Sequence, residues 1–389
     1  HRADNARQVR VMLVEDSAVI RGMVRSWLDG VDNVEVVASA DNGQIALNTV
    51  AAARPDIIIL DIEMPVMDGL TALPGLLAAC PGVKVLIAST LSKRNAEISM
   101  KAINMGAADY LAKPSFARDG NEARRMFKEE LVRKVVGLGQ NGGGGHHGVV
   151  HTPAPANDAG ANRAAAATSG WTTIPSGSSD FKLRPASRVR PRILVIGSST
   201  GGPAALSKVL GALKGRLSGV PVVITQHMPP TFTTLLGETL SRLSGLEGGE
   251  THDGETVSAG RIYVAPGGFH MRLIQLGSQI KIALNDGPPI NHCRPAVDPL
   301  FESVAQIYRG AALGVVLTGM GSDGALGAVK IADAGGSVLA QDEASSIVWG
   351  MPGAAMAAGA CVAAVELENL GDRIGLMLGL GSGRNKIKT

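Results

Sequence analysis

Apolar residues along this chain follow two periodicities, and their alternation predicts two separate stretches of α/β structure. Short runs of consecutive apolar residues at 9–14, 34–38, 57–60, 83–88 and 109–112 read as buried parallel strands. Between them, apolar positions recur at helical spacing over 18–28, 45–53, 70–79 and 96–105. Strands alternating with helices of this length imply a parallel sheet covered on both faces. Helical patterning continues over 122–136 and stops at Gly137. The alternation resumes with strands expected at 193–196, 220–225, 261–265, 312–317, 337–340 and 361–365. Helices are expected at 204–213, 231–243, 297–308, 325–334, 351–358 and 367–378. Two shorter strands, 271–275 and 280–285, face each other across Gly277-Ser278 as a hairpin. The expected fold class is α/β twice over, the second unit mainly parallel with one β-hairpin.

Composition changes this picture at three points. Residues 138–188 carry glycine and alanine runs with Ser, Pro and Asn, and too few large apolar residues to bury a core. They read as a flexible linker, which divides the chain at 8–137, 138–190 and 191–380. About 50 such residues span roughly 35–42 Å, enough for the working edges of the two units to meet. His146, His147 and His151 then read as polar linker residues rather than a metal tract. The net charge of +3 is too small to argue for nucleic acid, and no basic recognition helix follows Pro191. Three scattered cysteines, Cys80, Cys293 and Cys361, fit neither a disulfide framework nor a zinc site. No apolar run approaches membrane-spanning length and no leader pattern stands at the start, so a cytoplasmic protein without membrane insertion is expected.

Ligands on parallel sheets bind beyond the carboxyl ends of the strands. In the first unit, Glu15-Asp16 follow the first strand, Asp61 ends the third, Ser89-Thr90 end the fourth and Lys113 ends the fifth. Three carboxylates at one edge repel one another and favour a hard cation such as Mg²⁺. A carboxylate beside that metal can attack a phosphoryl group, and Lys113 can offset the added charge. Taken singly, an Asp at a strand end usually caps a helix and a Lys usually lies on the surface. Together with the stretch LDIEMPVMDG, Ser89 after VLIA, Tyr110 and Lys113-Pro114, they resemble the receiver domain of two-component response regulators. That resemblance implies a flavodoxin-like strand order 2-1-3-4-5 and Mg²⁺ at Glu15, Asp16 and Asp61. It also implies phosphorylation of Asp61 by a histidine kinase, a cis bond at Lys113-Pro114, and a switch through Ser89 and Tyr110. Thr90 adjoins Ser89, and either hydroxyl suits the switch.

The second unit opens on RILVIGSSTGGP, residues 192–203. Gly197–Gly201 fit G-x-S-x-G, which holds a serine hydroxyl on a strand-to-helix turn where free N–H groups favour a developing oxyanion. A glycine-rich turn that binds phosphate fits the same residues. His227 directly follows the strand VPVVIT, and Asp323 stands in TGMGSDG after LGVVL, so both fall at carboxyl ends of strands with Ser199. A nucleophile, a base and an orienting acid are thus available; alone, the histidine would read as structural and Asp323 as a cap for the following helix. IGSSTGG, TQHMPP, GPPINHCRPAVDPLF and LTGMGSDG make residues 192–380 resemble the catalytic domain of chemotaxis protein-glutamate methylesterases. The resemblance implies Ser199 as nucleophile, His227 as base and acid, Asp323 as orienting carboxylate and the Met320 N–H as oxyanion donor. Ser198 stands where that family often has Ala, and the spacing favours Ser199. The implied activity is hydrolysis of glutamate methyl esters on chemoreceptors, with methanol released, and deamidation of receptor glutamines, without a cofactor for the ester chemistry. Its implied partners are methylated chemoreceptors and a chemotaxis histidine kinase, and its unphosphorylated receiver occludes the esterase site. Readings of other classes are a receiver-linked binding or phosphate-sink module with an idle esterase domain, and a nucleotide-binding domain.

Overall fold

In the first unit five parallel strands, β1 (Val9–Val14), β2 (Val34–Ala40), β3 (Ile57–Asp61), β4 (Lys84–Thr90) and β5 (Asp109–Lys113), lie in the order β2-β1-β3-β4-β5. The computed structural model describes residues 7–90, 92–114, 120–140, 149–150, 172–173 and 181–380. His146, His147, His151 and most of the expected linker lie outside the described residues. Helices α1 (Ala18–Leu28), α2 (Gly43–Ala53), α3 (Gly69–Ala79), α4 (Lys93–Asn104) and α5 (Gly120–Gln140) cover the sheet. Four of them start on a side-chain cap: Ser17, Asn42, Asp68 and Ser92 accept from Ile20, Ile45, Thr71 and Asn95 N–H, satisfying donors that a helix start leaves open.

Two expectations need correction here. Lys113-Pro114 is trans; among the described residues the cis peptide is Arg294-Pro295. Helix α5 continues past Gly137 to Gln140. Val135 and Leu138 are buried in the receiver core on either side of Gly137, so burial outweighs the poor helix propensity of one glycine.

After a two-residue antiparallel pair, β6 (Val149–Val150) with β7 (Thr172–Thr173), the second sheet begins. It contains β8 (Ile193–Ser198), β9 (Val222–Gln226), β10 (Glu247–Glu250), β11 (Arg261–Val264), β14 (Ala312–Val316), β15 (Ser337–Gln341) and β16 (Ala363–Val365). Their order is β10-β11-β9-β8-β14-β15-β16 and every pairing is parallel. The expected hairpin is present as β12 (His270–Leu276) and β13 (Gln279–Asn285). Helices α6 (Gly202–Ala212), α7 (Phe232–Ser244), α8 (Val297–Tyr308), α9 (Ala325–Asp333), α10 (Gly350–Ala357) and α11 (Leu367–Met377) complete the unit. Strand β10 escapes the hydrophobic pattern because Glu-Gly-Gly-Glu has no apolar residue; it is an edge strand held by backbone pairing to β11. The segment from Phe181 onward already lies on this unit, with Arg184 N–H bonded to Cys361 O (2.9 Å) and Ser187 to Ser337 Oγ and Gly310 O (both 2.9 Å).

The two units touch through the side of the receiver rather than through its acidic edge. Helix α4 packs on α6 and α7, and Tyr110 of β5 stacks on Phe232 at 4.3 Å and 12°. On α5, Gly137 lies so close to Met320 that a Cβ there would strike the Met320 methyl. Val348, Ile347 and Met320 join the apolar cluster of the receiver.

Candidate active site and acidic pocket

Ser199 and His227 follow neighbouring strands in register. Ser198 of β8 pairs with Gln226 of β9, so the next residue on each strand is Ser199 or His227. On the other flank β14 pairs with β8 through Val316 and Gly197, and Ser199 N–H donates to Thr318 O (3.1 Å). Strand order reverses beside β8, the place where a doubly wound sheet opens a crevice at its carboxyl edge. Gly201 has φ 77°, a left-handed turn that glycine adopts freely, and it caps α6 two residues after the serine. The Ser198 hydroxyl is buried and donates to Gln226 Oε1 (2.7 Å), whereas the half-buried Ser199 hydroxyl bonds to no described residue. The N–H groups of Thr200 and Met320 also donate to no described residue. Gln226 Nε2 fastens the two strand ends by donating to Ser199 O (2.9 Å) and His227 O (3.3 Å).

Asp323 is brought to His227 by the loop after β14. Its Oδ2 accepts from His227 Nε2 (2.7 Å) and Val297 N–H (2.6 Å). Its Oδ1 accepts from Gly324 N–H (3.0 Å), Asp298 N–H (3.2 Å) and Asn291 Nδ2 (3.4 Å). The carboxylate therefore does cap a helix, but it is α8 rather than the following α9. Burial works against its charge, yet the bond from His227 and these N–H groups hold its pKa below the ordinary 3.8. Its neighbour Asp298 is pushed up to about 7 by burial and by the Asp323 charge. On His227, burial disfavours the imidazolium, but the Cys293 sulfur and Asp323 outweigh it and raise the pKa to about 10.

Asn291, Cys293 and Asp298 carry no strand-end signal that would mark them as site residues, although all three lie within GPPINHCRPAVDPLF. Cys293 Sγ stands 3.3 Å from His227 Nδ1. Other histidines are engaged elsewhere: His270 is buried between Pro288 O and Ala296 N–H, and His252 pairs with Glu255 on the surface.

In the receiver, the ligand atoms of Glu15, Asp16 and Asp61 lie within 4.8 Å of one another. Lys113 Nζ reaches Asp61 Oδ2 (2.7 Å) and Glu15 Oε2 (3.1 Å), and Asp61 Oδ1 accepts from Ile62 N–H (2.7 Å). Burial raises the Glu15 and Asp61 carboxyls above their ordinary range, with Lys113 offsetting part of the effect. Three hard oxygen donors so placed fit an Mg²⁺ ion. Ser89 is buried and hydrogen-bonded to Ser99 of α4 (2.8 Å), while exposed Thr90 accepts from Asn95 (2.7 Å). Tyr110 is buried against Phe232, as described above.

A response regulator receiver domain family matches residues 11–124, and a CheB methylesterase family matches residues 194–374. The chain is 48% identical over 375 residues to the protein-glutamate methylesterase/protein-glutamine glutaminase of group 2 operon of Bradyrhizobium diazoefficiens, covering 95% of this chain and 94% of that protein. It is also 48% identical over 363 residues to protein-glutamate methylesterase/protein-glutamine glutaminase 1 of Paramagnetospirillum magneticum, covering 93% and 94%. Among solved structures, the Thermotoga maritima CheB methylesterase catalytic domain is 38% identical with a TM-score of 0.46, over 48% of this chain and 98% of that one. The response regulator domain of Thermotoga maritima CheB is 31% identical with a TM-score of 0.31, over 33% and 95%.

Proposed function

The chain belongs to the protein-glutamate methylesterase/protein-glutamine glutaminase family, and we propose that it is a cytoplasmic, phosphorylation-controlled serine esterase acting on methylated chemoreceptors. The observation that carries this reading is the 2.7 Å bond from His227 Nε2 to Asp323, formed beside the strand end that presents Ser199. With Nε2 committed to Asp323, Nδ1 is the nitrogen that accepts the Ser199 proton. The Ser199 oxygen attacks the ester carbonyl, and the free N–H groups of Met320 and Thr200 receive the oxyanion. His227 then protonates the departing methoxide, which leaves as methanol, and water activated by the same nitrogen releases the glutamate. A glutamine side chain would pass through the same acyl-enzyme with ammonia leaving.

In the receiver, Asp61 is the phosphoacceptor and Glu15, Asp16 and Asp61 hold Mg²⁺, which when bound neutralises charge between the carboxylates and the incoming phosphoryl group. Lys113 withdraws toward the phosphoryl oxygens, and Ser89 and Tyr110 carry the change to the domain contact. Tyr110 on Phe232, five residues beyond His227, and Gly137 against Met320 tie that contact to the esterase edge. This packing supports occlusion in the unphosphorylated state, with a chemotaxis histidine kinase as the phosphodonor.

The test is methanol release from methylated receptor with and without a small phosphodonor, in the parent protein and in Asp61→Asn. Phosphodonor should accelerate the parent and leave Asp61→Asn at its basal rate, and the variant should take up no acid-labile phosphate. A protein that releases no methanol and whose Ser199 ignores a fluorophosphonate would instead be a receiver-linked binding module.

A further inference from the structure

We propose that Cys293 is a positioning residue of the ester-cleaving site: its thiol holds the Nδ1 edge of His227 in the resting enzyme and must yield that nitrogen to Ser199 before the ester is attacked. The inference rests on the Ser199–His227–Asp323 reading and adds a fourth side chain to it. Both imidazole nitrogens are committed in the structure, Nε2 to Asp323 at 2.7 Å and Nδ1 to Cys293 at 3.3 Å. The Ser199 hydroxyl, which needs Nδ1, has no partner among the described residues.

The loop that carries the thiol is fastened on both sides. Ile290 and Cys293 exchange backbone hydrogen bonds (3.0 and 2.9 Å) around Asn291 and His292, both at positive φ (51° and 63°). That is the geometry of a tight primed turn. Arg294 Nη1 anchors the next residue to Asp286 O (2.7 Å) and Gly287 O (3.0 Å). From the same turn Asn291 reaches Asp323. The turn therefore grips the acid with one side chain and the base with another.

The ionisable groups around His227 are few. Asp323 faces Nε2, with Asp298 of α8 behind it, and Cys293 faces Nδ1 from the loop. His292 and Arg294 flank the thiol in sequence but are exposed, and Arg294 is spent on carbonyls. Whether the thiol donates to Nδ1 or Nδ1–H donates to the sulfur, Nδ1 has no free lone pair for Ser199. A thiol whose proton a neighbouring imidazole can take is also a good nucleophile. Toward a haloacetamide, a sulfur–carbon bond forms, the halide leaves, and the proton stays on His227.

The experiment measures kcat/KM against pH on methylated receptor for the full chain, Cys293→Ala and Cys293→Ser. The rising limb, which reports the free-enzyme base, should move down by about one pH unit or more in Cys293→Ala. At neutral pH kcat/KM should rise by about threefold or more, carried by kcat rather than KM. Cys293→Ser should fall between, since a hydroxyl can still hydrogen-bond Nδ1 but lacks the sulfur. A residue that only supported the loop would lower activity at every pH without moving the limb, and that result overturns the proposal. Haloacetamide labelling with peptide mapping gives a second readout on the parent protein. Cys293 should label about tenfold faster than in His227→Gln, with buried Cys361, whose thiol is pushed up to about 12, as internal reference. Equal labelling in the two proteins also overturns it. A fluorophosphonate separates the two readings: unlabelled Ser199 removes the triad itself, whereas labelled Ser199 with an unmoved limb removes only the role of Cys293.

Discussion

Asp61 and Asp323 are two buried aspartates, each held by a basic side chain at 2.7 Å, and their carboxyls are shifted in opposite directions. Asp61 accepts one backbone N–H and shares its pocket with Glu15 and Asp16. Asp323 accepts from Val297 and Asp298 N–H at the start of α8, where the helix dipole adds to them, and from Gly324 N–H and the Asn291 amide. Burial therefore wins at Asp61 and loses at Asp323. The receiver keeps charge poorly satisfied, so a cation and a phosphoryl group bound there as proposed would change its balance. The esterase edge commits its donors to the Asp323 carboxylate, whose charge helps push the neighbouring Asp298 carboxyl up. On the proposed reading the first pocket suits a switch, while the second is satisfied as it stands.

The sharpest way to break this contrast is to remove the fixed site. Ser199→Ala and His227→Ala should each lower methanol release by about 10³-fold or more, Asp323→Ala should cost less, and the double variants little beyond the single ones. Losses that multiply cleanly would show that the residues do not act as a unit. Removing the switching unit should do the reverse. A protein lacking residues 1–180 should release methanol roughly 5–150-fold faster than the unphosphorylated full chain and ignore phosphodonor. The cut belongs before Phe181, which packs on Trp349 at 5.8 Å. If the fragment is no faster, phosphorylation must stimulate the esterase by another route than relief of contact.

A smaller effect is expected at the contact itself. Gly137→Leu places a side chain where the Met320 methyl lies and should raise the unphosphorylated rate by about 2–5-fold. Gly22→Leu, with nothing within 4 Å of the added Cβ, should leave it unchanged. The smallest effects test the charge comparison directly, by urea denaturation without divalent cations. Asp61→Asn should stabilise the receiver by about 1 kcal/mol, because it removes a disfavoured anion from a pocket of like charges. Asp323→Asn should destabilise the second unit by about 1–3 kcal/mol. The sign with pH follows: a carboxyl held below 3.8 contributes stability that is complete above that value and is lost as pH falls through its folded pKa. The Asp323→Asn deficit should therefore be full at neutral pH and vanish in strong acid, and a deficit that persists there would contradict the assignment.

The strands and helices of both units were legible along the chain because each buries an apolar face, and burial leaves a period of 2 or 3.6 or an unbroken apolar run. The strand-end carboxylates, the Ser199 turn and His227 were legible for the same reason: once the strands are placed, their carboxyl ends follow. Nothing local could reveal β10, whose pairing is a matter of backbone and edge position. The end of α5 was hidden too, since the burial that carries the helix past Gly137 comes from other elements. What only the tertiary structure decided is which groups share a neighbourhood across long separations. Asp323 caps α8 rather than α9, Cys293 rather than Ser199 holds His227, and the receiver meets the esterase through Tyr110 and Gly137. Periodicity records whether a residue faces the core. It carries no record of the partner waiting there, and for charge state and control the partner decides.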